Sequence, residues 1–238
     1  MSSLFIKGHQ RLKGSIKIQG AKNSALPILV ATILTSTECI LHNCPHLSDV
    51  YTTIKILEYL GAKVKWHGES VVINASGVNK HDIPLCFMNK MRSSIVFLGA
   101  IASKMSKVKA FFPGGCELGP RPIDLHLEAL KKLGLIVDED YHCINCKVKG
   151  KLKGAKITLN FPSVGATENI VLASVLADGV TIIENAAKEP EIYDLCDFLI
   201  KCGAKIQFFN SGTIKIVGVK RLIGCEHNII PDRIAATT

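Results

Sequence analysis

Three glycines at a nearly constant interval most narrow what this chain can become. Gly61, Gly134 and Gly203 each follow a run of apolar residues at helical spacing, and they lie 73 and 69 residues apart. A glycine just past the last periodic residue suits the left-handed conformation that ends a helix. The words around these stops repeat as well. Gly61-Ala62-Lys63-Val64 is echoed by Gly203-Ala204-Lys205-Ile206, and Gly20-Ala21-Lys22-Asn23 by Gly165-Ala166-Thr167-Glu168-Asn169. This self-similarity predicts three copies of one unit, at about 20–75, 85–150 and 151–217.

Each copy reads strand, helix, strand, helix, then a strand pair. Ahead of the first, a strand-like segment at 14–18 leads to that copy's opening helix, which starts at Lys22-Asn23 and continues to about Leu34. A strand at 38–42 follows, then a helix from near Ser48 whose inner face carries Val50, Ile54 and Leu57, then short strands at 63–66 and 70–73. The second copy opens on Met91-Arg92-Ser93-Ser94 and the third on Ser163-Val164-Gly165. Helices that pair apolar faces predict a shared helical core with the sheets outside.

Between the second copy's strand at 107–112 and its next helix lies Pro113-Gly114-Gly115-Cys116-Glu117-Leu118-Gly119-Pro120-Arg121-Pro122-Ile123-Asp124-Leu125-His126. It begins as a glycine-rich loop and ends in a first helical turn, where Pro122 fits and Asp124 meets the positive end of the helix. Cys116 and Arg121 are thereby held five residues apart near a helix N-terminus. An anion site is the expected consequence.

Net charge of +9, from 29 Lys plus Arg against 20 Asp plus Glu, fits either nucleic acid or a small polyanion. Of the lysines at 147, 149, 151, 153 and 156, the first four alternate in the manner of the wet faces of two short strands joined near Gly150, and aromatics, 6% of the chain, do not interleave with them. A nucleic-acid partner is therefore not expected. Nine scattered cysteines, an N-terminus without a signal-like apolar run and no apolar stretch of membrane-spanning length point to a cytoplasmic protein. Cys143-Ile144-Asn145-Cys146 has ligand-like spacing but lacks the second pair of a structural zinc site, so no metal is expected.

In their joint order, Lys22-Asn23, Met91-Arg92-Ser93, Pro113-Gly114-Gly115-Cys116, Arg121-Pro122-Ile123-Asp124-Leu125, 163–169 and Pro231-Asp232-Arg233-Ile234 resemble the UDP-N-acetylglucosamine enolpyruvyl transferases. The resemblance implies an α/β fold, an inside-out α/β barrel domain of the enolpyruvyl transferase type, with three β-α-β-α-β-β repeats around a pseudo-threefold axis. It also implies transfer of enolpyruvyl from phosphoenolpyruvate, a co-substrate rather than a cofactor, to the 3-hydroxyl of UDP-N-acetylglucosamine, with phosphate release, at the start of peptidoglycan synthesis. Cys116 would deliver a proton to the methylene carbon, aid phosphate departure and be the target of the epoxide fosfomycin. Lys22 and Arg121 would hold phosphate, and Asn23 a substrate hydroxyl or the phosphate. Arg92 would lie near the nucleotide sugar, the backbone of Arg121, Pro122, Ile123, Asp124 and Leu125 would read uracil, and Ser163, Val164 and Gly165 would contact the diphosphate.

The family resembled has a second domain that supplies a general-base aspartate and further arginines. The sequence reading accordingly divides this chain into 1–19, a strand segment meant for that second domain; 20–220, the transferase domain; and 221–238, a truncated crossover. A fragment of such an enzyme, or one that needs a separate chain to complete its site, is one expectation. A noncatalytic UDP-sugar-binding remnant of the same family is the other.

Overall fold

The computed structural model describes residues 3, 5, 7–9, 11, 13–112, 123–139 and 143–238. In chain order its elements are α1 (Lys22–Ala31), β1 (Cys39–His42), α2 (Ser48–Leu60), β2 (Lys63–His67), β3 (Ser70–Asn74), α3 (Leu85–Met88), α4 (Phe97–Met105), β4 (Lys107–Phe111), α5 (Asp124–Lys132), β5 (Leu135–Glu139), β6 (Cys143–Val148), β7 (Lys156–Thr158), α6 (Val164–Ser174), β8 (Val180–Glu184), α7 (Pro190–Lys201), β9 (Lys205–Phe209), β10 (Thr213–Val217), β11 (Glu226–Asn228) and α8 (Arg233–Thr237). A 3₁₀ turn, Arg92–Val96, runs directly into α4.

Hydrophobic pattern decides which helices lie inside. From Ser24 to Ala31, α1 is buried on every side, as is α6 from Ala166 to Ser174, and α4 from Phe97 to Ala102. Their sequences lack a polar face, so only a central position satisfies them. By contrast α2, α5 and α7 are amphipathic and flank that centre: α2 and α7 pack on α1, and α5 on α6. The helix stops fall where the sequence places them, with Gly61, Gly134 and Gly203 at φ of 113°, 94° and 104°.

The strands form three sheets, ordered β11-β1-β3-β2, β4-β6-β5 and β7-β8-β10-β9. The first and third are mixed, each with one parallel pair at an edge (β1 with β11, β7 with β8) followed by antiparallel pairs. The second is antiparallel throughout, and an isolated parallel bridge from Asp82 to Lys109 lies at its β4 edge. This corrects the expected inside-out α/β barrel. Each sheet stays open, and among the described residues no ladder joins one sheet to another. Barrel closure needs a strand register that continues from each edge to the next at a consistent tilt and shear, whereas these strands pair only inside their own short sheets.

Residues 226–228 return to the first sheet, with Ile40 opposite Glu226 and His42 opposite Asn228. Just beyond, Gly20 bridges Pro231, Ala21 N–H donates to the Ile230 carbonyl at 2.8 Å, and Asp232 N–H donates to the Gln19 carbonyl at 2.9 Å. The start of α1 and the segment before α8 are thus held side by side.

Helix α4 meets α6 at Gly99, where a Cβ would overlap the carbonyl oxygen and Oδ1 of Asn169. Replacing Gly99 by alanine is expected to lower the thermal midpoint by about 3–8 °C, since overpacking costs more than the gain in helix propensity. Calorimetry checks this; an unchanged midpoint would mean that the two helices can part without penalty.

Candidate functional site

A cleft of about 820 Å³ opens where the helices begin rather than where they end. Its wall takes Lys22 and Asn23 from α1, Asp49 and Thr53 from α2, Arg92 and Ser93 from the 3₁₀ turn, Leu125 and His126 from α5, Ser163, Val164 and Gly165 at the head of α6, and Glu189 and Glu191 at the head of α7. Every helix start carries partial positive charge on unpaired N–H groups. Three of these starts are balanced by an acid in the first turn: Asp49 on α2, Asp124 on α5 and Glu191 on α7. The other three, α1, the 3₁₀ turn and α6, have none.

Those unbalanced starts carry Lys22, Arg92 and Ser163, so one side of the cleft concentrates positive potential. Lys22 Nζ lies 3.2 Å from Asp49 Oδ2, with both side chains partly exposed, which aims the ammonium across the cleft without removing it from solvent. Ser163 caps α6 by accepting the Ala166 N–H at 3.3 Å, leaving the Val164 and Gly165 amides without an intrahelical acceptor.

The cleft also carries acids. Glu191 grips Arg233 with two hydrogen bonds, Nε to Oε1 at 3.0 Å and Nη2 to Oε2 at 3.2 Å. Glu168, only 6% exposed, faces the same space, and its carboxyl is pushed up to about 8, first by burial and then by Glu191 and Glu189. His126, which also lines the cleft, is pushed down to about 4 by burial and then by Arg92. Its tautomer follows from Asn169: Oδ1 accepts the Gly99 N–H at 2.7 Å, so Nδ2 donates to the Ile95 carbonyl at 2.9 Å and to His126 Nδ1 at 3.0 Å. The imidazole proton therefore sits on Nε2. Gly165 makes room for that ring, since a Cβ there would lie 3.1 Å from Cε1.

Lys22, Asn23, Arg92, Leu125, Ser163, Val164 and Gly165 meet in this cleft, although they come from four separate stretches of chain. Ile123 instead packs into the core at the cap position of α5, and Asp124 is exposed in its first turn; neither lines the cleft. Cys116, Arg121 and Pro122 lie outside the described residues. Among the described residues, no group of three or more His, Cys, Asp or Glu could hold a metal ion, and no helix is long and apolar enough to cross a membrane.

The model of the EPSP synthase (3-phosphoshikimate 1-carboxyvinyltransferase) family matches residues 6–238. The chain belongs to this family. Among EPSP synthase family relatives, it is 51% identical to UDP-N-acetylglucosamine 1-carboxyvinyltransferase 2 of Caldanaerobacter subterraneus subsp. tengcongensis, over all of this chain and 57% of that protein. It is 47% identical to UDP-N-acetylglucosamine 1-carboxyvinyltransferase of Finegoldia magna, over all of this chain and 56% of that protein. The fold is shared with the enolpyruvyl transferase NikO from Streptomyces tendae, at a TM-score of 0.83 and 21% identity, covering 96% of this chain and 54% of that one. The chain thus spans just over half the length of the curated relatives it matches.

Sequence reasoning did not place Asp49, His126, Glu168, Glu189, Glu191 or Arg233 in the site. Asp49 reads as a helix start, which it is, but its ion pair to Lys22 depends on two helices meeting. A usable signal did exist for Glu168, an acid set in the otherwise apolar run of α6, where a charge must be either paired or functional.

Proposed function

We propose that this chain forms part of a UDP-N-acetylglucosamine 1-carboxyvinyltransferase, transferring enolpyruvyl from phosphoenolpyruvate to the 3-hydroxyl of UDP-N-acetylglucosamine. The observation that carries the reading is the convergence of Lys22, Arg92 and the α6 amides on one cleft, in a chain 51% identical throughout to a protein of that name. Both substrates are anions, and three helix starts without first-turn acids suit their phosphates. Lys22 would neutralise the phosphate that leaves, and Asn23 would orient the attacking hydroxyl. Ser163, Val164 and Gly165 would hold the diphosphate, with Arg92 near the sugar and the backbone at 121–125 against the base.

In this mechanism Cys116 gives a proton to the methylene carbon as the hydroxyl oxygen bonds to the adjacent carbon. The hydroxyl proton passes to a base in this addition; the tetrahedral adduct then loses a proton from its new methyl group as phosphate leaves toward Lys22 and Arg121, which restores the carbon–carbon double bond of the enolpyruvyl group. A base and further cations come from residues beyond these 238, on this polypeptide or another, and their closure over the cleft excludes water. The reaction takes place in the cytoplasm and uses no metal or prosthetic group.

The test combines this chain with the part of the Caldanaerobacter protein that lies outside the match, and measures phosphate release. Release that requires both substrates and falls at least ~100-fold in Lys22→Ala is expected. Binding of UDP-N-acetylglucosamine without release in any combination would instead favour a sugar-nucleotide-binding role, and absence of binding would end the reading.

A further inference from the structure

Away from the cleft, three cysteines from distant parts of the chain meet behind the first sheet. Cys202 ends α7, Cys225 immediately precedes β11, and Cys39 begins β1. The sulfurs of Cys202 and Cys225 are 3.4 Å apart, closer than two sulfurs rest without an attractive contact, and Cys39 is within hydrogen-bonding reach of Cys202. Backbone bonds hold both sides in place: Ile223 N–H donates to the Cys202 carbonyl at 2.9 Å, and Ile40 N–H donates to the Cys225 carbonyl at 3.0 Å. Nothing separates the two sulfurs. A disulfide would bring the two sulfurs from 3.4 Å to about 2.05 Å.

Access differs among the three. Cys39 and Cys202 are buried, whereas Cys225 is half-buried. Hydrogen bonding from Cys202 favours the thiolate of both Cys39, which is pushed down to about 7, and Cys225, to which the nearby Lys201 also contributes. Exposure therefore selects Cys225 as the thiol that meets a solute first.

We propose that Cys202 and Cys225 are a peroxide-sensitive dithiol, with Cys225 as the attacked thiol and Cys202 as the resolving one. In the first step the Cys225 thiolate displaces hydroxide from hydrogen peroxide and becomes a sulfenic acid, the peroxide being reduced. In the second, the Cys202 sulfur attacks the sulfenic sulfur, water leaves, and the S–S bond forms with loss of the Cys202 proton. The dithiol has then lost two electrons and two protons, and one peroxide has become two waters. The bond ties the end of α7 to the entry of β11. The inference is independent of the reaction proposed for the cleft.

Treating the reduced 238-residue protein with hydrogen peroxide, followed by trypsin and mass spectrometry without reductant, tests this directly. The peptides 202–205 and 222–233 are expected to appear joined, two hydrogens lighter than their sum, and dithiothreitol should release them. The thermal midpoint should rise by about 5–10 °C on oxidation. In Cys202→Ser, a dimedone adduct should accumulate on Cys225, and in Cys225→Ala neither the link nor the adduct should form. Linkage of the 202–205 peptide to the one bearing Cys39, or Cys225 left reduced while other thiols oxidise, would overturn the assignment.

Discussion

Asp194→Ala is expected to lower the thermal midpoint by roughly 8–15 °C, the equivalent of about 3–5 kcal/mol for removing one partner of a buried ionic network. Asp194 is 5% exposed and serves three donors. Oδ1 accepts His227 Nε2–H at 2.9 Å, while Oδ2 accepts the Ser24 hydroxyl and, at 3.3 Å, the Ile230 N–H. On the far side of the ring, Lys201 Nζ lies 3.1 Å from His227 Nδ1 and donates to it, so the imidazole proton is directed at Asp194. Alanine would leave all three donors buried without an acceptor. Because Ser24 sits in the first turn of α1, the loss should also loosen Lys22 and Asn23. Asp194→Asn keeps one acceptor and should lose less. Thermal melts of both variants, followed by circular dichroism, decide the matter: a fall below about 3 °C for alanine would show that water replaces the network.

The second large effect is on the pH dependence of stability. Glu168 is pushed up to about 8 in the folded protein and lies near 4.5 when unfolded. Between those values the folded state holds a proton that the unfolded state has released, so stability falls as pH rises through this window, by up to about 4–5 kcal/mol. Glu168→Gln cannot ionise. It should match the parent protein near pH 4.5 and exceed its stability at pH 9. The opposite slope comes from His126, which is pushed down to about 4, so stability from that group is lost as pH falls from about 6.5 to 4. The difference between parent and Glu168→Gln isolates the carboxyl from the imidazole. Urea unfolding from pH 5 to 9 measures it; parallel curves would mean that Glu168 is already ionised at pH 5.

The same carboxyl shows why parts of the site were hidden from one-dimensional reading. Helix starts are local events. The Ser163 cap, the positions of Lys22-Asn23 and of Arg92, and the stops at Gly61, Gly134 and Gly203 depend on neighbours within a turn, and all were legible. The apolar runs of α1 and α6 accord with their burial. Glu191 and Arg233, in contrast, are joined across 42 residues, and His42 and Glu226 across 184. Nothing in either local sequence names its partner. The alternating lysines at 147–153 were expected to mark two strands joined near Gly150, yet only Cys143–Val148 forms a strand, and Lys153 makes an isolated bridge to Asp178.

The barrel expectation was inferred from a resemblance and a repeat, and neither specifies how one sheet's edge meets the next. Edge pairing depends on register over long sequence separations, and here the register ends within each sheet. The sequence by itself determined the helix stops at Gly61, Gly134 and Gly203, the three helix starts and the cationic residues, Lys22 and Arg92, at two of them, because these follow from capping and backbone freedom within a few residues. Tertiary structure alone decided that those starts face one cleft, that Asp49 pairs with Lys22, that Glu168 is buried beside two other carboxyls and that Cys202 meets Cys225. Each of these is a contact between elements distant in sequence, whose energy comes from desolvation and proximity that exist only once the helices have packed.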